Sequence, residues 1–397
     1  MRKFGTRCAA IGVLAALVSM GVASIANAAV VQKKPAGSYQ ANGTVRKIII
    51  VGNTAYLGGD FTALIPSGGG TAVTRNHAAA VDMTTGNLLP WDPNVNGSVH
   101  ALYASGGDIY LGGTFTTVGG ATHTNMAEVD GTTGAVISAF ANTTKPNKMV
   151  RAFVVVNGNL YIGGSFTKPR AYLAEVNATS NVYNPTWAPV VDGEVHALAA
   201  DMSGSRIVEG GFQNNLNGAS AIAIGAVDPT TGATVPFAYQ GPPTFIPPPG
   251  FPYRPFQSLA FAQDGNTLFV AASGNGGTAL SINMEDGTLN YQEGFNGNVV
   301  GIGVADGMLY MGGHFSEYCG PIMGNNFFCA GLPGSAARDK LTAVDEATGQ
   351  VLSPWNPAVN TPLGIEALDA GGTSLAIGGE FTKAGGVAQQ HFARFVE

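Results

Sequence analysis

The chain has 397 residues and is rich in glycine (57 residues), yet only 11% of its residues are charged. A hydrophobic content of 45% is too high for a disordered chain, and a formal net charge of −6 disfavours nucleic acid or an anionic membrane surface as the partner. Abundant glycine, little charge and ample apolar content suit a domain built from short buried strands.

Residues 1–28 are predicted to be a signal peptide. They have a basic start, an apolar stretch from Cys8 to Ile25 and a small-x-small cleavage site at residues 26–28. Removing this leader, which carries three of the 19 Lys and Arg residues and none of the 25 Asp and Glu residues, makes the net charge −9. We therefore expect residues 29–397 to form one secreted, extracellular domain, a monomer without a membrane span.

Only Cys319 and Cys329 remain after the leader is removed. Secreted proteins fold in an oxidising environment, where two cysteines have one possible pairing. A disulfide between Cys319 and Cys329 is therefore predicted.

A strand ending in two glycines recurs along the rest of the chain. Its first glycine, or the equivalent residue, stands at positions 58, 112, 163, 210, 271, 312 and 378. The spacing averages about 53 residues, in the range of propellers and solenoids. Each copy is preceded by a short apolar strand such as Val99-His100-Ala101-Leu102. Four copies are followed by a strand that ends in an Asp-x-x-Thr-Gly turn, and six units then have an aromatic residue such as Trp91.

Each unit thus contains four short apolar strands separated by Gly, Asn and Asp turns, and no helical periodicity is present. Seven units of four strands predict an all-β fold, a seven-bladed β-propeller. Residues 392–397 match the third strand of a unit, whereas residues 30–35 align with residues 88–93 of the fourth. The N-terminal strand is therefore predicted to complete the last blade and to close the ring.

The diglycine strand, the Asp-x-x-Thr-Gly turn and the tryptophan together resemble the kelch type of propeller. The match is closest to the secreted bacterial delta-sixty repeat propellers and covers residues 30–397. The resemblance implies the fold and no particular activity, because propellers carry unrelated functions. The turn and its tryptophan also look like the docking motif of quinoprotein dehydrogenases, although Asp82 to Trp91 spans nine residues rather than eight. A quinone-dependent oxidoreductase is therefore a distant alternative.

Long insertions are expected on one face of the propeller, where loops usually carry binding sites. The insertions are Thr62 to Asn76, Pro236 to Pro255 and Ser316 to Arg338. The last two hold aromatic residues beside prolines or beside the disulfide, and they either form the walls of a ligand groove or cap the channel. The candidate ligand-binding aromatics are Phe245, Phe251, Tyr253, Tyr318, Phe327 and Phe328.

Polar residues also recur at the second position of the innermost strand, near the expected channel. They are Arg46, His100, Arg151, His196, Gln257 and Glu366. Asp60, His314 and Glu380 follow the diglycine in consecutive units, so they could join Arg46 and Glu366 in a charged cluster at the channel mouth. That cluster is either a hydrogen-bonded seam between blades or a catalytic site with the candidates His314, Glu380, Asp60, His100 and His196.

These observations leave two main functions open. The first is a binding module for a surface component or polysaccharide-like ligand, held on the long-loop face with Arg46, Arg151 and Glu366 among its contacts. The second is an extracellular carbohydrate-active hydrolase or lyase. No cofactor is expected; calcium could bind at carboxylates, but no loop follows a calcium pattern and no histidine spacing indicates a metal site.

Overall fold

The computed structural model describes residues 30–141, 143–239, 258–274, 276–321, 329, 334–360 and 363–397. The predicted signal peptide and the candidates Phe245, Phe251, Tyr253, Phe327 and Phe328 lie outside these residues. The described part of the chain consists of strands, turns and loops, so the all-β prediction is confirmed. It contains no helix long and apolar enough to cross a membrane.

Seven antiparallel sheets follow one another along the described residues, and we number them as units one to seven. In each, the diglycine strand pairs with the strand before it and with the strand after it. Their first strands are β2 (Val45–Val51), β7 (Val99–Ser105), β12 (Val150–Val156), β15 (Val195–Ala200), β20 (Ser258–Asp264), β24 (Val299–Ala305) and β29 (Gly364–Gly371). Their second strands are β3 (Thr54–Gly59), β8 (Asp108–Gly113), β13 (Asn159–Gly164), β16 (Ile207–Gly211), β21 (Thr267–Gly274), β25 (Met308–Gly313) and β30 (Ser374–Glu380).

The third strands carry the sequence that leads into the Asp-x-x-Thr-Gly turn or its variants. They are β6 (Ala78–Asp82), β11 (Met126–Asp130), β14 (Leu173–Asn177), β19 (Ile224–Val227), β22 (Gly276–Asn283), β28 (Leu341–Asp345) and β33 (Phe392–Val396). In the turns the aspartate folds back on the chain: Asp82 accepts hydrogen bonds from the backbone N–H groups of Thr84 and Thr85, at 2.9 and 2.6 Å. These carboxylates therefore serve the turns.

The expected fourth strand is present in full only in unit five among the described units, as β23 (Leu289–Phe295). In units one, two, three, four and six it is reduced to a single bridge, such as Val81 with Leu88. The chain leaves the sheet after this bridge because its aromatic residue inserts against the next unit. Trp91, for example, is 1% exposed, and its indole N–H donates to the Asp130 carbonyl oxygen at 3.0 Å.

Short strands occupy most of the connections between second and third strands. They are β4 (Ala63–Pro66) and β5 (Val73–Thr74) with β1 (Tyr39–Ala41), β9 (Thr117–Val118) with β10 (Ala121–Thr122), β17 (Asn215–Leu216) with β18 (Ala219–Ser220), β26 (Glu317–Gly320) with β27 (Ala336–Ala337), and β31 (Lys383–Ala384) with β32 (Val387–Ala388). Cys319 in β26 is disulfide-bonded to Cys329 with a Cα–Cα distance of 4.9 Å, as the sequence predicts.

The apolar core lies between successive units. Each of seven buried clusters among the described residues combines side chains of two neighbouring units, and one of them joins unit seven to unit one through residues such as Ala376 and Val45. The first strands follow the same order: each contacts the first strand of the next unit, and β29 contacts β2. The first strands thus surround a common centre.

The segment before β1 is bonded to the last strand. The backbone N–H of Gln32 donates to the Val396 carbonyl oxygen at 2.9 Å, and that of Ala36 donates to the Arg394 carbonyl oxygen at 2.8 Å. Val31 is 2% exposed, and its carbonyl oxygen accepts the Trp355 indole N–H at 2.8 Å. Val31 therefore belongs to the apolar core of unit seven, and Gln32 and Ala36 are hydrogen-bonded to its last strand.

Candidate functional site

A cavity of about 790 Å³ lies at the centre of the first strands. It is large enough for a small ligand or for the end of a longer one. Every unit contributes to its wall, with apolar residues such as Leu102 and Phe153 and with polar residues concentrated near one end. One lining residue from each unit, in order, is Arg46, His100, Arg151, His196, Gln263, Val300 and Glu366.

A β-bulge places the predicted polar ring. In six units the first strand has an extra residue close to its start, as between Val45 and Lys47. A bulge re-aims a side chain and often lies beside a functional site. The extra residues are Arg46, His100, Arg151, His196, Val300 and Glu366. The corresponding residue of unit five, Gln257, lies outside the described residues.

The diglycine explains how the two strands approach at the bulge. A Cβ atom on Gly59 would collide with the Thr44 carbonyl oxygen, and one on Gly113 would collide with the Ser98 carbonyl oxygen. Only glycine fits such a close approach of two backbones. The second glycine of the repeat is therefore required beside the bulged residue that faces the channel.

On the side of units seven, one and two, the charged residues form a closed network. The Arg46 guanidinium donates to Asp60 and to Glu366, each at 2.7 Å. The other Asp60 oxygen accepts the Ser98 hydroxyl, and Glu380 accepts the Thr44 hydroxyl at 3.4 Å. Burial alone would raise the pKa of Asp60, but the hydrogen bonds from Arg46 and Ser98 lower it. Burial raises the pKa of Glu366 against the opposing charge of Arg46.

On the side of units three and four, the contacts are fewer and longer. Arg151 Nε lies 3.6 Å from a Glu194 carboxylate oxygen, and His196 Nε2 lies 3.4 Å from the same oxygen. The ring of Phe212 lies beside His196, with 4.5 Å between the ring centroids, and 41% of Phe212 is exposed. Burial and the positive charge of Arg151 lower the pKa of His196 to about 4, so its imidazole is neutral at pH 7.

The other two predicted histidines also face the channel. Burial, Arg46 and Arg151 lower the pKa of His100 to about 4. Since β12 contacts both β7 and β15, the strand of Arg151 lies between those of His100 and His196. His314 lines the cavity, and its Nε2 has no hydrogen-bond partner among the described residues. Burial lowers the pKa of His314, as does Lys340, while Glu380 opposes the change.

Two further histidines have structural roles away from the channel. His77 and His391 both have a φ of 62°, and the Nδ1 atom of each lies within 3.0 Å of a diglycine carbonyl oxygen. They stabilise the turn before the third strand. Within the described ranges, no group of three or more His, Cys, Asp or Glu side chains converges as a metal site would require.

The prediction that Tyr318 belongs to the wall of a ligand groove is wrong. Tyr318 is 3% exposed, because β26 pairs with β23 and sets its ring against Phe295. Its hydroxyl donates to the buried carboxylate of Glu293. Tyr318 is therefore a core residue.

Several residues at the channel were not singled out from the sequence. Glu194 and Phe212 contact the cavity-lining residues Arg151 and His196 in units three and four. Lys47 and Asp369 lie deeper; burial lowers the pKa of Lys47 and raises that of Asp369 to about 6. Only Phe212 left a clear signal in the sequence, since it breaks the order of the two residues that follow the diglycine in other units.

No family model matches the chain, and no curated protein matches it. Among solved structures, the chain is similar to the computationally designed Ika8 protein, at 13% sequence identity and a TM-score of 0.49. The similarity covers 92% of this chain and all of the Ika8 chain.

Proposed function

We propose that this protein is a secreted binding module, a seven-bladed β-propeller that holds a polysaccharide-like or cell-surface ligand at the mouth of its central channel. The mouth is the end of the channel where the bulged residues lie. It opens on the same face as the connections between second and third strands, which the sequence predicts to carry the binding site.

The propeller is supported by the order of contacts. Each first strand contacts the next, and β29 of unit seven contacts β2 of unit one. The bonds of Gln32 and Ala36 to the last strand support an N-terminal segment that completes unit seven. Secretion is supported by the predicted leader and by the Cys319–Cys329 disulfide, which persists in oxidising compartments.

The observation that carries the proposal is the cavity with its bulged rim. Five of the six bulged residues are polar or charged, whereas the wall below them includes Leu102, Phe153 and Ile302. An apolar cavity with a few convergent polar groups is the usual form of a ligand site. The ring presents both charges and neutral imidazoles, so it can bond hydroxyl groups as donor and as acceptor.

The state of Asp60 favours binding over hydrolysis. A glycosidase needs one carboxyl group that donates a proton and a second that attacks or activates water. Both oxygens of Asp60 are already bonded, to Arg46 and to Ser98, and its pKa is lowered. Asp60 is therefore a permanent anion that holds Arg46 in place.

One observation keeps a hydrolase or lyase as the second candidate. Burial raises the pKa of Glu366, as a general acid at the mouth would require. His314 lines the same cavity as Glu366, and its Nε2 has no hydrogen-bond partner among the described residues, so it could act as the base. If the protein is a hydrolase or lyase, it must cleave a saccharide.

One experiment on the purified chain distinguishes the binding module from the hydrolase or lyase. Plant, fungal and bacterial polysaccharides are tested for retention of the protein and, in the same samples, for release of reducing ends. The binding module predicts retention by at least one polysaccharide without release. Release of reducing ends would establish the enzyme, and neither retention nor release would contradict the proposal.

A further inference from the structure

Unit four inverts a side-chain order that five other units share. In those units the diglycine is followed by a polar residue and then by a phenylalanine that is at most 1% exposed. The pairs are Asp60-Phe61, Thr114-Phe115, Ser165-Phe166, His314-Phe315 and Glu380-Phe381. In unit four the pair is Phe212-Gln213, so the aromatic residue comes first.

The backbone of unit four keeps the register of the others. The N–H of Phe212 donates to the Glu194 carbonyl oxygen at 2.8 Å, as the N–H of Asp60 donates to Thr44 at 2.8 Å. The N–H of Ala223 donates to the Gln213 carbonyl oxygen at 2.9 Å, the bond that His77 makes to Phe61 in unit one. The two side chains have therefore exchanged places on an unchanged backbone.

This exchange is unfavourable for folding. Gln213 is 1% exposed, and neither its amide nitrogen nor its amide oxygen has a hydrogen-bond partner among the described residues. Phe212, by contrast, remains 41% exposed. An unpaired buried amide and an exposed aromatic ring both reduce stability. Natural proteins break such local rules mainly at functional sites.

The surroundings of Phe212 define the chemistry that would fit. The partly exposed ring lies against His196, and Glu194 and Arg151 lie next to that imidazole. Arg151 Nε and a Glu194 carboxylate oxygen are 3.6 Å apart, which is too long for a hydrogen bond. Their opposite charges balance, and both groups can still form hydrogen bonds with a ligand. A sugar ring matches this set, because it offers an apolar C–H face to an aromatic ring and hydroxyl groups to the carboxylate and the guanidinium.

We propose that Phe212, His196, Glu194 and Arg151 form a subsite for one uncharged sugar ring at the channel mouth. The inference rests on the proposed binding function and names the ligand class and the side of the mouth that holds it. A strongly anionic or cationic ligand is disfavoured here, since one carboxylate and one guanidinium stand side by side.

Restoring the common order tests the subsite. The double variant Phe212→Gln/Gln213→Phe places a phenylalanine where five units bury one and removes the ring from the mouth. Calorimetric titration uses hexasaccharides of glucose, xylose, mannose and N-acetylglucosamine as probes. For the hexasaccharide that the wild type binds, we expect the double variant to weaken binding at least tenfold while its melting temperature rises. Phe212→Tyr keeps the ring and is expected to bind within threefold of the wild type.

The outcomes separate the two proposals. Unchanged affinity in the double variant, with a wild type that binds, would overturn the Phe212 subsite and leave the binding function standing. Retention of the wild type by an acidic polysaccharide alone, with no heat from any of the four neutral probes, would also overturn the subsite only. A wild type that is retained by no polysaccharide would overturn both.

Discussion

The two sides of the channel mouth use the same repeat positions in different ways. On the side of units seven, one and two, Arg46 is held by Asp60 and Glu366 at 2.7 Å each. On the side of units three and four, the equivalent Arg151 meets, among the described residues, the single carboxylate of Glu194 at 3.6 Å, near a partly exposed Phe212. We name these the closed side and the open side.

The difference shows what a bulged polar residue can do on this fold. Where its partners come from the two neighbouring units, as for Arg46, the residue joins those units and its bonding capacity is used up. Where its partner is a single carboxylate at long range, as for Arg151, the capacity remains for a ligand. We therefore expect the closed side to contribute stability and, under the proposed function, the open side to contribute binding, although the sequence places both in one ring.

The largest expected loss of stability comes from deleting the N-terminal segment that is hydrogen-bonded to the last strand, in unit seven. Deleting residues 30–35 removes buried Val31 and leaves the Trp355 indole N–H without its acceptor. Loss of one buried aliphatic side chain and of one buried hydrogen bond predicts a decrease of about 4 kcal/mol in the free energy of unfolding. Urea denaturation measures it, and an unchanged midpoint would contradict a segment that belongs to unit seven.

The second effect compares the two arginines directly. Arg46→Met removes the guanidinium that bonds both Asp60 and Glu366 and leaves these two carboxylates near one another. Breaking a partly buried pair in this way should lower the free energy of unfolding by about 2 kcal/mol. Arg151→Met is the matched variant on the open side. Its ion pair with Glu194 is 3.6 Å long and is not a hydrogen bond, so we expect a loss below about 1 kcal/mol.

Ligand binding should show the opposite order. Arg151→Met is expected to weaken binding of the retained polysaccharide more than Arg46→Met does, once both are measured at a temperature where each variant is folded. Equal losses of stability in the two variants, or a binding defect confined to Arg46→Met, would remove the distinction between the two sides.

A third prediction concerns how the stability of unit four, on the open side, depends on pH. Glu209 in β16 is fully buried, both of its carboxylate oxygens lack a hydrogen-bond partner among the described residues, and burial raises its pKa to about 8. A carboxyl group whose pKa is raised on folding favours the folded state below its unfolded value, about 4.5. That contribution is lost as the pH rises towards 8.

Glu209→Gln should therefore be more stable than the wild type at pH 8, by roughly 4 kcal/mol. The two proteins should differ little at pH 4. Urea denaturation at both values checks the prediction, and Glu317→Gln, at a partly exposed position of β26, is the control. A difference between wild type and Glu209→Gln that does not change with pH would show that Glu209 ionises normally.

Much of this arrangement follows from the sequence, because the repeat fixes which strands pair. The diglycine strand, the Asp82-type turn and the buried Trp91 all lie as their spacing predicts. The polar ring could also be predicted from the sequence, since Arg46, His100, Arg151 and His196 occupy the same position in successive repeats. Sequence spacing could not reveal the bulge, because an extra residue in a ladder is defined only by the partner strand.

Two other features could not be predicted from the sequence because they depend on contacts between units. Tyr318 is buried because β26 pairs with β23 of the preceding unit, a pairing that no local pattern specifies. The closed and open sides also differ in which carboxylates reach Arg46 and Arg151, and two of these carboxylates, Glu366 and Glu194, are distant from their arginines in the chain. The Phe212-Gln213 inversion could be read from the sequence, but its meaning depends on which of the two positions faces the core.

The most direct test of binding at the open side uses the six histidines as reporters. Imidazole resonances of the ¹³C-labelled protein are followed while the retained saccharide is added. His196 should shift most, His100 on the other side of Arg151 less, and the structural His77 and His391 should stay unchanged. Saturable binding that shifts His77 or His391 and leaves His196 and His100 unchanged would contradict a ligand at the channel mouth.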